Sequence, residues 1–200
     1  MPSFLSRAAV ALLLGSALVG PAAAQTSTPY GQMIQGLQAV TSDAPVIDLQ
    51  ALRNWAQSVA AQGSVTVTQP QVVQKLFSLA QITVQIQFAL NSAIIRPESY
   101  ETIGAIADAL HDPILWNYRF VVVGNTDASG PAAYNLTLSQ QRAEAVAEAL
   151  ANLYQVNPAR LEALGLGTAA LQDPQQPDNP INRRVQIFNI GLMGPMPGGK

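Results

Sequence analysis

The chain has 200 residues, of which 48% are hydrophobic and only 11% charged, and this length suits one core-forming domain of about 100–150 residues plus a smaller segment. The formal net charge is −2 and no basic cluster exceeds the Arg183–Arg184 pair, so the chain lacks the electrostatic footprint of a nucleic-acid-binding protein. It contains no cysteine, which excludes disulfides, thiolate metal sites and a lipid-modified N-terminal cysteine.

Residues 1–24 have the pattern of a secretory signal peptide. Arg7 is the only early charge, an apolar stretch follows, and Ala22–Ala24 places small residues before Gln25. An uncleaved membrane anchor is the alternative, but the apolar core is shorter than the roughly 20 residues that a span needs. We therefore expect cleavage near Gln25, export, and no transmembrane helix in the mature chain.

The segment before residue 81 is predicted to be a lead-in followed by helices. Pro and Gly residues in 25–45 predict loose order. Apolar spacing predicts a helix over 48–63, alternation predicts a short strand over 65–67, and a second helix follows Pro70. The pattern leaves open whether residues 45–80 dock on the main domain or form a separate module.

The region 81–190 alternates strand and helix patterns. Residues 82–88 alternate apolar and polar side chains, which predicts a half-buried strand. An amphipathic helix follows Pro97 and is broken at Pro113. The continuous apolar run 120–123 predicts a strand covered on both faces.

Three further elements complete the pattern. A helix is predicted to start near Leu138, because Thr137 and Gln140 have the spacing of a capping box. Asn157–Pro158 predicts the start of a short helix, and alternation from Val185 predicts a last strand.

The predicted fold class is α+β, an α/β sandwich in which helices pack on a small mixed sheet in the order β-α-β-α-(α)-β. This unit occupies residues 81–190. It follows the signal peptide (1–24) and the lead-in with its helical segment (25–80), and it precedes a Gly/Pro-rich flexible tail (191–200).

Groups that support catalysis are scarce. His111 is the only histidine, and the end of an amphipathic helix is a favourable place for a partly charged imidazole, so we predict a structural role. No spacing of His, Asp and Glu resembles a metal site, and Gly165-Leu166-Gly167 is too short for a dinucleotide-binding fingerprint. We therefore predict a protein that is not an enzyme and has neither cofactor nor metal.

Two opposite charges flank the loop after the 120–123 strand. Asp127 lies in a turn where Thr126 and Ser129 offer hydroxyl groups, and Asn135 adds an amide. Arg142, in the first turns of the next predicted helix, offers a fork that matches a carboxylate. A ligand with an ammonium and a carboxylate a few ångströms apart would fit. The alternatives are that Asp127 and Arg142 pair with each other, or that Asp127 caps its own turn.

The motifs GNTDASGPAAYN-LTLSQQRAEAV, LEALGLG and NRRVQI follow one another along the chain. In this order they resemble the OmpA-like C-terminal domain family, which binds peptidoglycan non-covalently. The resemblance covers about residues 81–190 and includes the strand and proline-led helix before the first motif. Its matching positions in that motif are Gly124, Thr126, Asp127, Asn135, Leu138, Ser139, Arg142 and Ala143.

The resemblance implies a binding mode for the diamino acid of the peptidoglycan stem peptide, which is usually diaminopimelate. Asp127 would meet its ammonium and Arg142 its carboxylate. Supporting contacts would come from the turn after the first strand, from the Asp127 loop and from the second arginine of the NRRV motif. The predicted ligand-binding set is Asp127, Arg142, Asn135, Arg184, Thr126 and Asn91.

Three positions depart from the family pattern. Asn125 stands in place of a histidine, Ala89 in place of an aspartate and Gln186 in place of a common glutamate. Asn125 retains hydrogen-bonding capacity, whereas Ala89 removes a carboxylate from the turn after the first strand.

The predicted function is therefore anchoring of the cell envelope by a periplasmic protein that associates with the cell wall or outer membrane. A second hypothesis is a periplasmic adaptor that no longer binds the wall. Residues 45–80 would then bind an envelope protein partner, with Trp55 and Phe77 as anchors. A third, an exported hydrolase, would require digestion of the wall by the purified protein.

Overall fold

The computed structural model describes residues 29–38, 46–63 and 69–193. The predicted signal peptide, the predicted strand over 65–67 and residues 194–200 of the tail lie outside the described residues. The helices described are α1 (Pro29–Leu37), α2 (Leu49–Gln62), α3 (Gln71–Phe77), α4 (Tyr100–His111) and α5 (Ala132–Asn152). The strands are β1 (Gln81–Val84), β2 (Tyr118–Asn125), β3 (Leu161–Gly167) and β4 (Val185–Leu192).

The four strands form one mixed sheet in the order β1-β4-β2-β3. Strand β4 is antiparallel to both β1 and β2, whereas β2 and β3 are parallel. The predicted α+β class with a small mixed sheet is thus confirmed. Because Gly124 in β2 pairs with Gly165 in β3 and with Val185 in β4, the chain segments just after β2 and just before β4 meet at one edge of the sheet.

Each face of the sheet carries its own hydrophobic core. Phe120 and Val122 of β2 face a core that α1, α4 and α5 cover, and Val121 and Val123 face a second core that α2 and α3 cover. All four side chains are fully buried. The prediction of a strand covered on both faces is therefore confirmed.

The two predicted helices before residue 81 are present, and they dock on the sheet. Leu52 of α2 and Leu76 of α3 are fully buried in the second core. Phe77 packs edge-on against Phe188 of β4, with ring centroids 5.6 Å apart, and Trp55 is partly buried in the same core. Both rings are thus partly buried against the protein's own core, and the expectation that Trp55 and Phe77 anchor a partner stays a prediction.

Helix α1 lies where a loosely ordered lead-in was expected. Met33, Ile34 and Leu37 share one helix face and pack into the first core, and Leu37 is fully buried. The Asn189 side-chain amide donates a hydrogen bond to the Leu37 carbonyl oxygen (2.8 Å), which satisfies one acceptor at the helix end. A tertiary contact thus orders a stretch whose Pro and Gly content indicated a loop.

The first strand is shorter than predicted. Its pairing with β4 ends at Val84, and Phe88 makes only an isolated bridge to Ile95. The helix predicted after Pro97 is present as one 3₁₀ turn followed by α4, which ends at His111.

Helix α5 starts at Ala132, six residues before the predicted start near Leu138. Thr137 and Gln140 therefore lie inside the helix and form no capping box. The Thr137 hydroxyl donates to the carbonyl oxygen one turn earlier, and Gln140 Oε1 accepts from the Gly165 N–H (2.6 Å). The capping-box prediction is wrong because both side chains have partners that the local sequence does not reveal.

The short helix predicted after Asn157 is a single 3₁₀ turn, and β3 follows it directly. Leu164 and Leu166 point into the second core, while Gly165 lets α5 approach the strand closely. A Cβ on Gly165 would lie 2.4 Å from the Gln140 backbone nitrogen. The optional helix of the predicted order is thus a strand, and the unit reads β-α-β-α-β-β.

Candidate ligand-binding site

The Asp127 turn is fixed at the edge of the sheet by backbone hydrogen bonds. The Thr126 N–H donates to the Gly167 carbonyl oxygen at the end of β3 (3.0 Å). The Ala128 N–H donates to the carbonyl oxygen of Pro177 in the loop before β4 (3.0 Å). Asp127 therefore lies between two anchored positions.

Asn135 closes the same loop from the first turn of α5. Its Nδ2 lies 3.3 Å from the Asp127 carbonyl oxygen and 3.4 Å from those of Ser129 and Gly130. The side chain is buried. This geometry makes Asn135 a residue that shapes the loop carrying Asp127.

Asp127 is buried, and its carboxylate has a protein donor on each oxygen. Oδ1 accepts from the Ser129 N–H (3.2 Å) and from the Ser129 hydroxyl, and Oδ2 pairs with Arg183 Nη1 at 2.5 Å. Burial alone would raise the pKa of Asp127, but the hydrogen bonds from Ser129 and Arg183 outweigh it and lower the pKa. The carboxylate is therefore ionised at neutral pH.

The Arg142 guanidinium lies half-buried on α5 and keeps free donors. Its Nε donates to the Ser92 carbonyl oxygen (3.0 Å), and its Cζ lies 4.9 Å from the centroid of the Phe88 ring. Among the described residues, neither terminal nitrogen of Arg142 has a hydrogen-bond acceptor. Burial lowers its pKa, as does the charge of Arg183, while Tyr134 and Asp127 oppose that shift. A fork of unused donors is suited to a ligand carboxylate.

Asp127 and Arg142 do not pair with each other. Within the described chain, the one ion pair of Asp127 is with Arg183. The interaction with Ser129 shows that Asp127 does cap its own turn, which was one of the two alternatives. The three charged groups give the site a net charge of about +1, because two arginines accompany one carboxylate.

Arg184 is not brought to the Asp127 carboxylate. The residue is 5% exposed, and its guanidinium donates to Gln186 Oε1 (3.0 Å) and to the Ala170 carbonyl oxygen (2.8 Å). Burial lowers its pKa to about 10. Arg184 thus fixes the loop before β4 to the strand, and its neighbour Arg183 is the arginine that faces Asp127.

Thr126 and Asn91 differ in the hydrogen bonds that their atoms make in the protein. The Thr126 hydroxyl oxygen is buried and, among the described residues, has no hydrogen-bond partner. Asn91 is exposed in the left-handed conformation (φ 50°), and its carbonyl oxygen accepts from the Tyr134 hydroxyl (3.4 Å). The contact seen at Asn91 is therefore made by its backbone, whereas Thr126 holds an unused polar atom beside Asp127.

The described residues contain no group of three or more His, Cys, Asp or Glu side chains arranged to hold a metal ion. None of the helices described is both long and apolar enough to span a bilayer.

Comparison with known proteins identifies the family. The OmpA family model matches residues 87–187. Outer membrane porin F of Pseudomonas fluorescens is 30% identical over 110 residues, which are 54% of this chain and 33% of that protein. The chain thus spans about a third of the length of this curated relative.

Two solved structures extend the comparison. The peptidoglycan-associated lipoprotein from Burkholderia pseudomallei is 30% identical, with a TM-score of 0.43 over 54% of this chain and 88% of that chain. The cell wall anchor of the T6SS from Pseudomonas aeruginosa is 25% identical, with a TM-score of 0.45 over 72% of this chain and 99% of that chain. On the match of the family model to half its length, the chain belongs to the OmpA family.

Proposed function

We propose that this protein binds peptidoglycan non-covalently through the zwitterionic end of the stem-peptide diamino acid and so anchors the cell envelope. The observation that carries the proposal is the state of Arg142. Its guanidinium is half-buried beside the ionised Asp127, yet within the described residues its terminal nitrogens have no acceptor. A half-buried cation with unused donors is stabilised by an anionic ligand.

Family membership and geometry support the same pairing of charges. The OmpA-like resemblance implies ammonium on Asp127 and carboxylate on Arg142, with diaminopimelate as the diamino acid. The two side chains lie on the turn after β2 and on the helix that follows it, beyond the carboxyl end of an inner strand, where α/β sheets commonly bind ligands.

Such a site binds its ligand and catalyses no reaction. Each hydrogen bond to a charged group contributes about 1.5–3 kcal/mol, so two of them give a modest, reversible and salt-sensitive affinity for one peptide. The wall repeats the ligand many times. Tethering or oligomerisation would therefore raise the effective affinity without any new contact.

The proposal includes a place in the cell. A signal peptide over 1–24 would export the chain to the periplasm, where it would associate with the wall or the outer membrane. The relatives' name, outer membrane porin F, is consistent with the envelope. We propose a binding protein, not a wall hydrolase, and purified protein should release no soluble fragments from peptidoglycan.

Cosedimentation with purified peptidoglycan tests the site. Asp127→Ala and Arg142→Ala should each reduce pelleting at least tenfold while both variants remain folded. Arg119→Ala is the matched control, because Arg119 pairs with Glu162 (3.1 Å) at the opposite end of β2. Pelleting of both site variants at the level of the wild type would refute the assignment.

The adaptor hypothesis is left with the exposed faces of α2 and α3. The faces of α2 and α3 that carry Leu52 and Leu76 are buried against the sheet, and Trp55 and Phe77 pack in the same core. If the protein anchors through peptidoglycan, the proteins that the full-length chain recovers from periplasmic extract should depend on the presence of wall material and not on residues 45–80.

A further inference from the structure

Arg183 occupies the position at which the proposed ligand's ammonium would bind. The Nη1 atom of Arg183 lies 2.5 Å from Asp127 Oδ2, and Ser129 takes the other carboxylate oxygen. Both oxygens of Asp127 are thus engaged by the protein's own donors. A ligand ammonium that approaches Oδ2 meets a guanidinium that is already there.

The two partners of this ion pair differ in their freedom to move. The Asp127 side chain is 6% exposed, and its loop is held by Asn135 and by the backbone bond to Pro177. The Arg183 side chain is 49% exposed and, within the described residues, its guanidinium has Asp127 as its single hydrogen-bond partner. The Arg183 backbone is fixed, since its N–H donates to Pro180 (3.0 Å). Displacement therefore requires rotation of one side chain and no change in the fold.

Electrostatic interactions favour displacement of Arg183 only by a ligand that carries both an ammonium and a carboxylate. Arg142 and Arg183 repel each other, since the charge of Arg183 lowers the pKa of Arg142. A ligand carboxylate on Arg142 relieves part of that repulsion. A ligand ammonium beside an unmoved Arg183 would meet a like charge at hydrogen-bond distance, which is unfavourable.

We infer that Arg183 is an internal competitor that holds the Asp127 carboxylate closed until a ligand ammonium displaces it, and so restricts the site to zwitterions. This inference rests on the proposed function of the same site. It predicts that ligands with a carboxylate but no amino group bind at Arg142 without moving Arg183. It also predicts that removal of the Arg183 charge improves binding, although this arginine lies in the site.

The test is titration of the full chain with meso-diaminopimelate and with pimelate, which keeps both carboxylates and lacks both amino groups. NMR shift titrations at fixed ionic strength suit the weak binding expected. Arg183→Gln should bind diaminopimelate about two- to fivefold more tightly than wild type, the range that a half-exposed ion pair contributes. Binding of pimelate should not improve, because pimelate does not compete for Asp127.

Two variants separate this inference from the proposed function. Asp127→Asn should lose diaminopimelate binding, and Arg119→Gln, which removes an arginine from a different ion pair, should bind as wild type does. If Asp127→Asn loses binding while Arg183→Gln binds equally or more weakly, Arg183 is no competitor and the proposed function stands. If Arg183→Gln gains equally for pimelate, the competition model is also overturned. If Asp127→Asn binds as wild type does, the proposed function itself fails.

Discussion

Burial and hydrogen bonding shift the pKa of the Asp127 carboxylate in opposite directions. Loss of water around the group favours the neutral acid, and the donors of Ser129 and Arg183 favour the anion more strongly. The sequence indicated a charged receptor here because Asp127 follows an apolar strand and a glycine. It left open whether Asp127 pairs within the chain, and it did not single out Arg183 as the partner.

Acid titration of stability checks the state of Asp127. Because folding lowers its pKa, the ionised carboxylate stabilises the fold fully above the unfolded value of about 3.9 and loses this effect as the pH falls through the folded value. The difference in the free energy of unfolding between wild type and Asp127→Asn should therefore be constant from pH 7 to about 5 and shrink below pH 4. Urea unfolding across this range measures it. A difference that is as large at pH 3 as at pH 7 would contradict the lowered pKa.

The Thr126 hydroxyl gives a second prediction at this scale. Its oxygen is buried without a partner among the described residues, and an unpaired buried hydroxyl costs about 1–3 kcal/mol. Thr126→Val should raise the free energy of unfolding by about 1 kcal/mol, while Thr126→Ser should not. If the ligand satisfies this hydroxyl, Thr126→Val also weakens diaminopimelate binding. A loss of stability in Thr126→Val would mean that the hydroxyl is satisfied in the free protein.

The choice between the two adjacent arginines shows where sequence reasoning fails for side chains. Motif position favoured Arg184, and the structure turns Arg184 inward to Gln186 and Ala170. Arg183 lies just outside β4, so its direction depends on the loop before the strand and not on strand alternation. Phe88 beneath Arg142 was missed for a similar reason, since the two residues are 54 positions apart and meet only in the fold.

Helix α5 is the element that carries the site, and glycines set its distance from the sheet. A Cβ on Gly124 would lie 2.2 Å from the Ser139 carbonyl oxygen of α5. The Ser139 hydroxyl oxygen in turn accepts from the Gly167 N–H (2.8 Å). Ser139 of the helix motif thus anchors α5, and Arg142 follows one turn later at a fixed position.

Enlarging Gly124 tests this anchoring. Gly124→Ala forces α5 away from β2, and overpacking of this kind costs about 1–3 kcal/mol. Diaminopimelate binding should weaken as well, because Arg142 moves with the helix. Gly104→Ala is the control: the nearest atom to its added Cβ is the Tyr154 ring at 3.2 Å, and alanine favours the α4 helix. Equal melting temperatures for the two variants would contradict a close contact at Gly124.

Hydrophobic periodicity correctly predicted some helices and strands, whereas tertiary packing determines the structure of others. Helices α2 and α4 and strand β2 follow their hydrophobic patterns. Strand β3 has the sequence Leu-Glu-Ala-Leu-Gly-Leu-Gly, which the Asn-Pro start before it made resemble a helix. Gly165 and Gly167 are needed because α5 packs closely against this strand. A seven-residue segment does not reveal that tertiary contact.

For the whole molecule, α2 and α3 cover the second face of the sheet, and α1 covers part of the first. The OmpA family model starts at residue 87, after α1, α2 and α3. Without those helices a set of fully buried apolar side chains would face solvent. The set includes Val121, Val123, Leu164, Leu166 and Phe188.

Deletion of residues 1–80 should therefore destabilise the domain. Exposure of a core that size removes burial worth several kcal/mol, so we expect a broad thermal transition and binding of a hydrophobic dye. Deletion of residues 1–24, the predicted signal peptide, is the matched control and should leave the transition unchanged. A cooperative transition of chain 81–200 at the temperature of the full chain would show that the N-terminal helices are dispensable.

The central claim concerns two charges and one ligand, and a crystal structure of the protein with meso-diaminopimelate tests it most directly. The account predicts a ligand ammonium within hydrogen-bond distance of Asp127 Oδ2, a ligand carboxylate on the terminal nitrogens of Arg142, and Arg183 rotated away from Asp127. A ligand bound elsewhere, or bound with its carboxylate on Arg183 and no contact to Arg142, would contradict it.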